Sequence, residues 1–561
     1  MTISLHDAPF RLDARGIAWV ETTLASLSLE QKVGQLMCLY LARGDAAEWS
    51  DWLLARRLEP GAMMMTPRPP AEAGTAVRML QERSGVPLLF SGNLESGVVN
   101  FLAGTEAFAN PMQLAATGDP SAAEELARHC ARVADEIGIN WAFAPVIDIA
   151  INPGNPITNT RTFGSDPETV AAFGSAYIRA MESRGIATSA KHFPGDGVDD
   201  RDQHLVTSAN DLDTETWWAT FGQVYRAAIE AGTRTIMVGH IRQRALSLAA
   251  RPELAPREIM PATLAPELLE GVLRSELGFA GLVVSDNSAM TGFSSVLPRE
   301  EALPRMIAAG VDMLLGNVDV EDDYRILLDA ARTGAIGATR LDEAVMRVLA
   351  VKASIGLHDG VDRRERPHRS PGEDEAARRD IARRSVTLVK DTQELLPLDP
   401  TRHRRALVYV VGDEPTFYDP SGPFSPQFIA GLEARGLDVE VRTVPGNSTT
   451  PAEAARLHET FDVCIYFANV RFIGNSNTLR LTWSPWQGWD APRHVAKLPT
   501  ALVSIADPYL LRDVPMIRTA INGYTPTPAT VDAVLEVLFG ELEASGRSPV
   551  DPLAGRWDAA L

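Results

Sequence analysis

The chain has 561 residues, of which 45% are hydrophobic and 22% charged, and its formal net charge is −20. This length predicts two or three domains, and the anionic balance argues against nucleic acid or anionic membrane surfaces as partners. Three widely spaced cysteines, Cys38, Cys130 and Cys464, argue against a disulfide framework and favour a reducing compartment. Because no secretory signal and no apolar run of roughly 18–20 residues is present, we predict a cytoplasmic protein without a membrane span.

Short apolar runs recur along the first part of the chain, and helix-like sequence follows each of them. They are continuously apolar rather than alternating, as expected for parallel strands that are buried on both faces. Eight β-then-α units within residues 1–358 predict a (β/α)8 TIM-like barrel. The predicted strands lie at 35–40, 62–65, 87–93, 141–149, 187–193, 235–240, 282–286 and 312–316.

The rest of the chain predicts a linker and a second domain. Residues 359–380 are rich in charge and poor in apolar groups, which is typical of a linker. The β/α pattern then resumes over residues 381–561, which predicts a smaller α/β sandwich domain with a doubly wound sheet of unassigned strand order. The predicted fold class is therefore α/β, with a barrel followed by this smaller domain.

Polar residues stand at the ends of five predicted barrel strands. Chemistry in such barrels gathers at the C-terminal ends of the strands, where loops from different strands meet. A single polar residue at a strand end is often only a satisfied structural group, but five on one rim favour a functional site. These residues are Asn93 with Glu95, Asp148, Lys191 with His192, His240 and Asp286.

The loop "KHFPGDGVDDRDQHL", residues 191–205, has three interpretations: a metal site, a solvated surface loop and a catalytic loop. A metal site is disfavoured because His192 and His204 are far apart and no His-x-His pattern occurs. A solvated loop accounts for residues 199–201. It does not account for a Lys-His pair that emerges directly from an apolar strand.

The "DQH" part of this loop has a chemical logic of its own. Asp202 stands two residues before His204 and can accept a hydrogen bond from one ring nitrogen. That bond fixes the tautomer and leaves the other nitrogen for proton transfer. Alone, Asp-x-His is a weak signal.

Several segments together resemble glycoside hydrolase family 3, and specifically its bacterial β-N-acetylglucosaminidase (β-N-acetylhexosaminidase) branch. They are "KHFPGDG…DQH", "FAPVIDIAINPGNPITNTRTFG" and "GFAGLVVSDNSAM", with "SLEQKVGQLM", "AAGVDMLL" and, in the second domain, "SIADPYLL". The resemblance covers most of the chain. It implies a glycosidase of carbohydrate metabolism that needs no cofactor and no metal.

The resemblance also implies roles for individual residues. Asp286 matches the catalytic nucleophile of the family, and His204 with Asp202 matches the acid/base pair of the acetylglucosaminidase branch. The related β-glucosidases place Trp directly after the nucleophile, whereas this chain has Asn287. The expected reaction is therefore the release of terminal β-linked N-acetylglucosamine through a covalent glycosyl-enzyme.

Sugar binding is expected from the remaining rim residues, with two departures from the family pattern. "GNLESG" puts Asn93 and Ser96 where the family often has Asp and Gly, and Asp196 stands where many relatives have His. An amide still binds a sugar hydroxyl but adds no charge, so the sugar specificity is left open. The expected substrate-binding residues are Lys191, His192, Arg161, Asn93, Glu95, Asp148 and His240.

Other functions stay open at this point. The first is a sugar-binding relative without catalysis, the second an unrelated metal-dependent barrel hydrolase, and the third a phosphorylase, in which phosphate is a further partner. Phosphorolysis has been proposed for relatives with this Asp–His pair. Trp483, Trp486 and Trp489 favour packing between domains or subunits over sugar stacking, so a homo-oligomer is also open.

Overall fold

The computed structural model describes residues 3–41, 46–360, 366–416, 421–446, 450–471, 474–485 and 488–561. Of the sequence features discussed above, Trp486 and residues 361–365 of the predicted linker lie outside these ranges. Within the described ranges, no helix combines the length and apolarity that a membrane span requires. The three cysteines are buried free thiols.

The predicted barrel is confirmed. The described residues of this domain form ten strands: β1 (Met37–Leu41), β2 (Ala62–Met65), β3 (Leu89–Gly92), β4 (Trp141–Ala142), β5 (Ala187–Phe193), β6 (Ser208–Ala209), β7 (Thr235–Val238), β8 (Ile241–Arg242), β9 (Leu282–Ser285) and β10 (Leu314–Leu315). Eight of them are parallel and follow the order β10-β1-β2-β3-β4-β5-β7-β9, and a parallel bridge between Val284 and Met313 closes the ring. Strands β6 and β8 form a separate two-stranded sheet.

Helices surround the barrel strands and bury their apolar faces against them. Asp166 accepts from the Thr169 N–H (2.8 Å) and begins the helix Pro167–Ser183. The main helices are Ala14–Ser26, Leu29–Gln35, Ala46–Arg56, Pro70–Arg83, Pro111–Ala116, Ser121–Ile137, Pro167–Ser183, Thr214–Glu230 with a π-helical middle, Arg244–Ala250, the π-helical Glu267–Glu276, Thr291–Ser294, Arg299–Ala309, Val320–Thr333 and Ala338–Ser354.

The second domain is a doubly wound sheet, as predicted, and the structure supplies its strand order. The described elements are β11 (Thr387–Asp391), β12 (Arg405–Val411), β13 (Asp438–Val444), β14 (Val463–Ala468), β15 (Thr500–Ser504) and β16 (Thr519–Asn522), with helices Ser425–Ala434, Pro451–Ala454, Leu457–Thr460 and Pro528–Leu538. The order is β11-β16-β15-β14-β12-β13, and among these strands only β11 is antiparallel to its neighbour. Alternate residues of β12 enter two apolar cores, one on each face of the sheet.

The predicted linker differs from the structure in its second half, because Pro371–Ser385 is a helix. Ser370 caps it through a capping box with Glu373. The buried Asp374 contacts His129 Nδ1 (2.8 Å) and Arg132 Nε (2.9 Å) on a barrel helix. The charged composition that suggested a linker therefore includes groups that fasten this helix to the barrel. The domain limits at 358 and 380 stay a prediction.

The tryptophan-rich segment packs within the second domain. The ring of Trp483 meets Tyr466 edge-on at 6.1 Å between centroids, and the Arg493 guanidinium lies 4.3 Å from the Trp489 ring centroid. These contacts hold the segment against its own domain. They do not address a subunit interface.

The barrel and the second domain are joined by buried hydrogen bonds near the helix Pro111–Ala116. Asn110 caps this helix by accepting from the Gln113 N–H (2.9 Å), and its Nδ2 donates to the Tyr524 carbonyl (2.7 Å). Gln113 Nε2 donates to the carbonyl of Gly523 (3.1 Å) and to Thr530 Oγ1 (3.0 Å). The amide side chains of one short helix therefore reach the end of β16.

Asn110→Ala is expected to lower the melting temperature more than Asp319→Ala does. Both variants lose an N-cap acceptor, which costs about 1 kcal/mol, but Asp319 is exposed and caps only its own helix at the Asp322 N–H. Asn110→Ala also leaves the buried Tyr524 carbonyl without this donor, at a further cost of about 1–3 kcal/mol. Scanning calorimetry of both variants measures the difference. Equal shifts would contradict the domain-joining role.

Candidate active site

Asp286 lies directly after β9, on the C-terminal rim of the barrel. Its N–H donates to the Val238 carbonyl (2.8 Å), and its Oδ1 accepts from the Asn287 N–H (2.7 Å). Its side chain is 13% exposed, and His192 Nε2 lies 3.9 Å from Oδ2. Burial alone would raise the pKa of Asp286, but His192 and neighbouring histidines outweigh it and lower the pKa. This carboxylate is therefore kept ionised and open to the rim.

Asp148, which is completely buried, holds the start of the loop after β5. Its Oδ2 lies 2.7 Å from His192 Nδ1, and its Oδ1 accepts from the N–H groups of His192 (3.0 Å) and Asp196 (2.8 Å). Since an ionised carboxylate only accepts, Nδ1 of His192 is the donor. The other ring nitrogen consequently faces Asp286.

A buried ion cluster lies beside this pair. Arg161 donates to both oxygens of Glu95, with Nε–Oε2 and Nη2–Oε1 distances of 2.9 Å. Lys191 Nζ lies 2.7 Å from Glu95 Oε1 and 3.2 Å from Asn93 Oδ1. The two cations hold the pKa of Glu95 well below its usual range despite burial. Burial in turn lowers the pKa of Lys191, although Glu95 opposes this.

The predicted Asp–His pair is present in the same loop. His204 Nδ1 lies 2.6 Å from Asp202 Oδ1, which also accepts from the His204 N–H (2.7 Å). The His204 side chain is 26% exposed, whereas that of Asp202 is fully buried. The second domain reaches this pair: the Ser476 N–H donates to Asp202 Oδ2 (3.2 Å), and the Asp202 N–H donates to Asn477 Oδ1 (3.4 Å).

His240 lies beneath the rim, fully buried. Its Nε2 lies 3.0 Å from the Asn287 carbonyl and must donate there, while Nδ1 lies 3.2 Å from Thr263 Oγ1. Both ring nitrogens are thus used inside the protein, and burial lowers the pKa of His240. Neither ring nitrogen of His240 is therefore placed to contact a sugar directly.

The structure therefore brings all ten sequence-predicted site residues to one end of the barrel. Sequence reasoning missed several residues that touch this set, among them Gln203, Ser476 and Asn477. Gln203 was visible only as the spacer of "DQH", and Ser476 and Asn477 are far away along the chain.

Asp196, whose role the sequence left open, is buried beside Asp148. Burial and the neighbouring Asp148 charge raise the pKa of Asp196 to about 6. Across the described ranges, no group of three or more His, Cys, Asp or Glu side chains is arranged to hold a metal ion.

Comparison with known proteins decides the family. The model of the "Glycosyl hydrolase family 3 N terminal domain" matches residues 28–351. The chain belongs to glycosyl hydrolase family 3. The matched region contains all eight barrel strands and every predicted site residue, and the chain is therefore an enzyme of the glycoside hydrolase class.

Three relatives extend this comparison over the full length of the family 3 chain. A Cellulomonas fimi protein named β-N-acetylglucosaminidase/β-glucosidase is 44% identical over 100% of both chains. A solved structure named β-glucoside phosphorylase BglX has a TM-score of 0.91 and 38% identity, covering 99% of each chain. A family 3 β-N-acetylglucosaminidase from Paenibacillus has a TM-score of 0.79 and 28% identity, covering 94% of this chain and 99% of its own.

Glu95→Gln is expected to shift the urea midpoint strongly downward. The substitution removes the counter-charge that Lys191 and Arg161 share, and the side chains of these two residues are only 3% and 18% exposed. Leaving such charges unpaired should lower the free energy of unfolding by roughly 3–5 kcal/mol. Glu375→Gln is the matched control, because Glu375 also contacts two arginines but is 39% exposed. This control should lower the free energy of unfolding by less than about 1 kcal/mol. Similar shifts for both variants would show that the cluster does not stabilise the rim.

Proposed function

We propose that the protein is a retaining glycosidase that releases terminal β-linked N-acetylglucosamine through a covalent glycosyl-enzyme. The observation that carries this proposal is the pairing, on one rim, of the ionised Asp286 with the Asp202–His204 pair. The first group can attack an anomeric carbon, and the second can donate and accept a proton. The names of the Cellulomonas and Paenibacillus relatives support the same substrate class.

In the first step, the Asp286 carboxylate attacks the anomeric carbon while the bond to the leaving oxygen breaks. His204 donates its Nε2 proton to that oxygen, and Asp202 stabilises the charged imidazolium that this requires. In the second step, the neutral His204 takes a proton from the incoming water. The water oxygen bonds to the anomeric carbon, the bond to Asp286 breaks, and the β configuration is retained.

The other rim residues have binding or supporting roles in this proposal. Arg161 and Lys191 supply donors to sugar hydroxyls, His192 presents its Nε2 to a hydroxyl, and Asn93 supplies a neutral amide. Glu95 neutralises and orients the two cations. Asp148 and His240, both fully buried, support His192 and the Asn287 backbone rather than the sugar.

A second candidate is phosphorolysis, in which inorganic phosphate replaces water in the second step. The phosphorylase name of the 38% identical structure, which aligns over 99% of the chain, favours it. So does the neutral base: a carboxylate about 4 Å from an incoming phosphate charge would cost roughly 4 kcal/mol at a dielectric constant near 20. A neutral imidazole has no such repulsion.

Asp286→Ala is expected to lower turnover by roughly 10³-fold or more, because the covalent nucleophile is lost. Asp200→Ala removes an exposed carboxylate from the same end of the barrel and should keep turnover. With the unmodified enzyme, an activated 2-deoxy-2-fluoro glucoside should label the peptide that contains Asp286; the BglX relative has itself been solved with 2FGlc bound. Labelling of another carboxylate, or no labelling and no turnover at all, would refute a catalytic Asp286.

His204→Ala is expected to slow substrates with poor leaving groups by about 10²–10⁴-fold. Activated aryl glycosides should be affected far less, since their leaving oxygen needs no proton. The measurement is kcat/KM against leaving-group acidity. Asp202→Ala should give the same pattern more mildly, because Asp202 orients the imidazole without transferring the proton. A uniform loss across all leaving groups would contradict the acid role.

The acceptor is tested by varying inorganic phosphate at fixed ionic strength, with sulfate as the replacement anion. We expect free N-acetylglucosamine as the product without phosphate. If phosphate is an acceptor, a sugar 1-phosphate replaces free sugar as its concentration rises. A rate and product ratio that do not respond to phosphate would exclude the second candidate and leave hydrolysis.

A further inference from the structure

Gln203 stands between the two members of the proposed acid/base pair, yet its side chain points away from them into the protein. It is completely buried. Its Oε1 accepts from the His240 N–H (2.9 Å), and its Nε2 donates to Asp196 Oδ2 (3.2 Å). A backbone N–H at one end and a carboxylate at the other fix the orientation of the amide without ambiguity.

Each partner of Gln203 is itself attached to the active-site framework. Asp196 N–H donates to Asp148 Oδ1 (2.8 Å), which also holds His192. His240 follows β7 and lies 3.0 Å from the carbonyl of Asn287, the residue after the proposed nucleophile. The side chain of Gln203 thus connects the loop after β5 to the segment after β7, which in turn contacts the residue that follows Asp286.

The backbone around Gln203 is packed as closely as its side chain. A Cβ at Gly292 would lie 2.3 Å from the Gln203 carbonyl oxygen, so the loop after β9 approaches it without space for a side chain. The adjacent Thr291 N–H donates to the His204 carbonyl (3.0 Å). Gln203 has no room to shift unless the loops on both sides shift as well.

We propose that Gln203 is a positioning residue, which fixes the distance between the His204 ring and Asp286 and does not itself touch the sugar. This inference rests on the proposed acid/base role of His204. A misplacement of about 1 Å in a reacting group costs on the order of 10²-fold in rate. Loosening Gln203 should therefore impair proton donation while leaving Asp286 able to attack.

The polarity of the Gln203–Asp196 contact allows a sharp test. Gln203→Glu puts a second carboxylate against Asp196, and Asp196→Asn alone puts an amide NH2 against the NH2 of Gln203. The double variant restores one donor and one acceptor: the new Asn Nδ2 donates to the new Glu, which still accepts from the His240 N–H. The Asn oxygen keeps the two contacts of Asp196 Oδ1, from Asn155 Nδ2 (2.9 Å) and the Gly197 N–H (2.7 Å).

The readout is kcat/KM for a phenyl glycoside and for a 2,4-dinitrophenyl glycoside of the same sugar. Gln203→Glu should lower kcat/KM on the order of 10²-fold for the phenyl glycoside. For the 2,4-dinitrophenyl glycoside, kcat/KM should fall several-fold at most. For the phenyl glycoside, kcat/KM of the double variant should be at least about tenfold higher than that of Gln203→Glu alone. Equal losses on both substrates, or no recovery in the double variant, would overturn the positioning role.

Three further measurements keep the test decisive. Gln203→Met fills the same space without hydrogen bonds, and it should show the same selective loss; labelling by the 2-fluoro sugar at normal stoichiometry verifies that each variant retains a folded site. His204→Ala is assayed alongside. If His204→Ala is not selective, the proposed function fails; if His204→Ala is selective and the Gln203 variants are not, only the present inference fails.

Discussion

The active end of the barrel depends on one buried carboxylate, that of Asp148. It accepts hydrogen bonds from two backbone N–H groups and from the His192 ring at 2.7–3.0 Å. A buried charge of this kind persists only when donors surround it, and here the start of the loop after β5 supplies those donors. Lys191, His192, Asp196 and, through Gln203, the His204 pair take their positions from that loop.

The charges on the rim divide into two groups with different tasks. Glu95 is matched by Arg161 and Lys191, and in the proposed function this cluster offers donors to a sugar without adding net negative charge. Asp286 lies 3.9 Å from His192 Nε2; this histidine and its neighbouring histidines lower the pKa of Asp286, and the charges of Arg161 and Lys191 also interact with it. The second domain completes the arrangement through Ser476 and Asn477, which contact Asp202. The proposed acid/base pair is thus held by both domains.

The sequence was sufficient for the barrel because eight apolar runs and their helices repeat in order, and for the rim because parallel strands all end on the same side. It was insufficient where a role depends on partners far along the chain. Gln203 is defined by Asp196 and the His240 backbone, and Ser476 by a residue 274 positions away. The helix Pro371–Ser385 escaped notice because most of its surface is charged, and its buried Asp374, which contacts the barrel, cannot be distinguished in the sequence from its solvated neighbours.

The central claim is a double displacement at Asp286, and the stereochemical course of the reaction tests it most directly. Proton NMR during rapid turnover of a β-N-acetylglucosaminide identifies the anomer that forms first, before mutarotation. Two inversions at one carbon give net retention, so the first product should have the β configuration, whether it is the free sugar or the 1-phosphate. An α product appearing first would mean a single displacement and would contradict a covalent intermediate on Asp286.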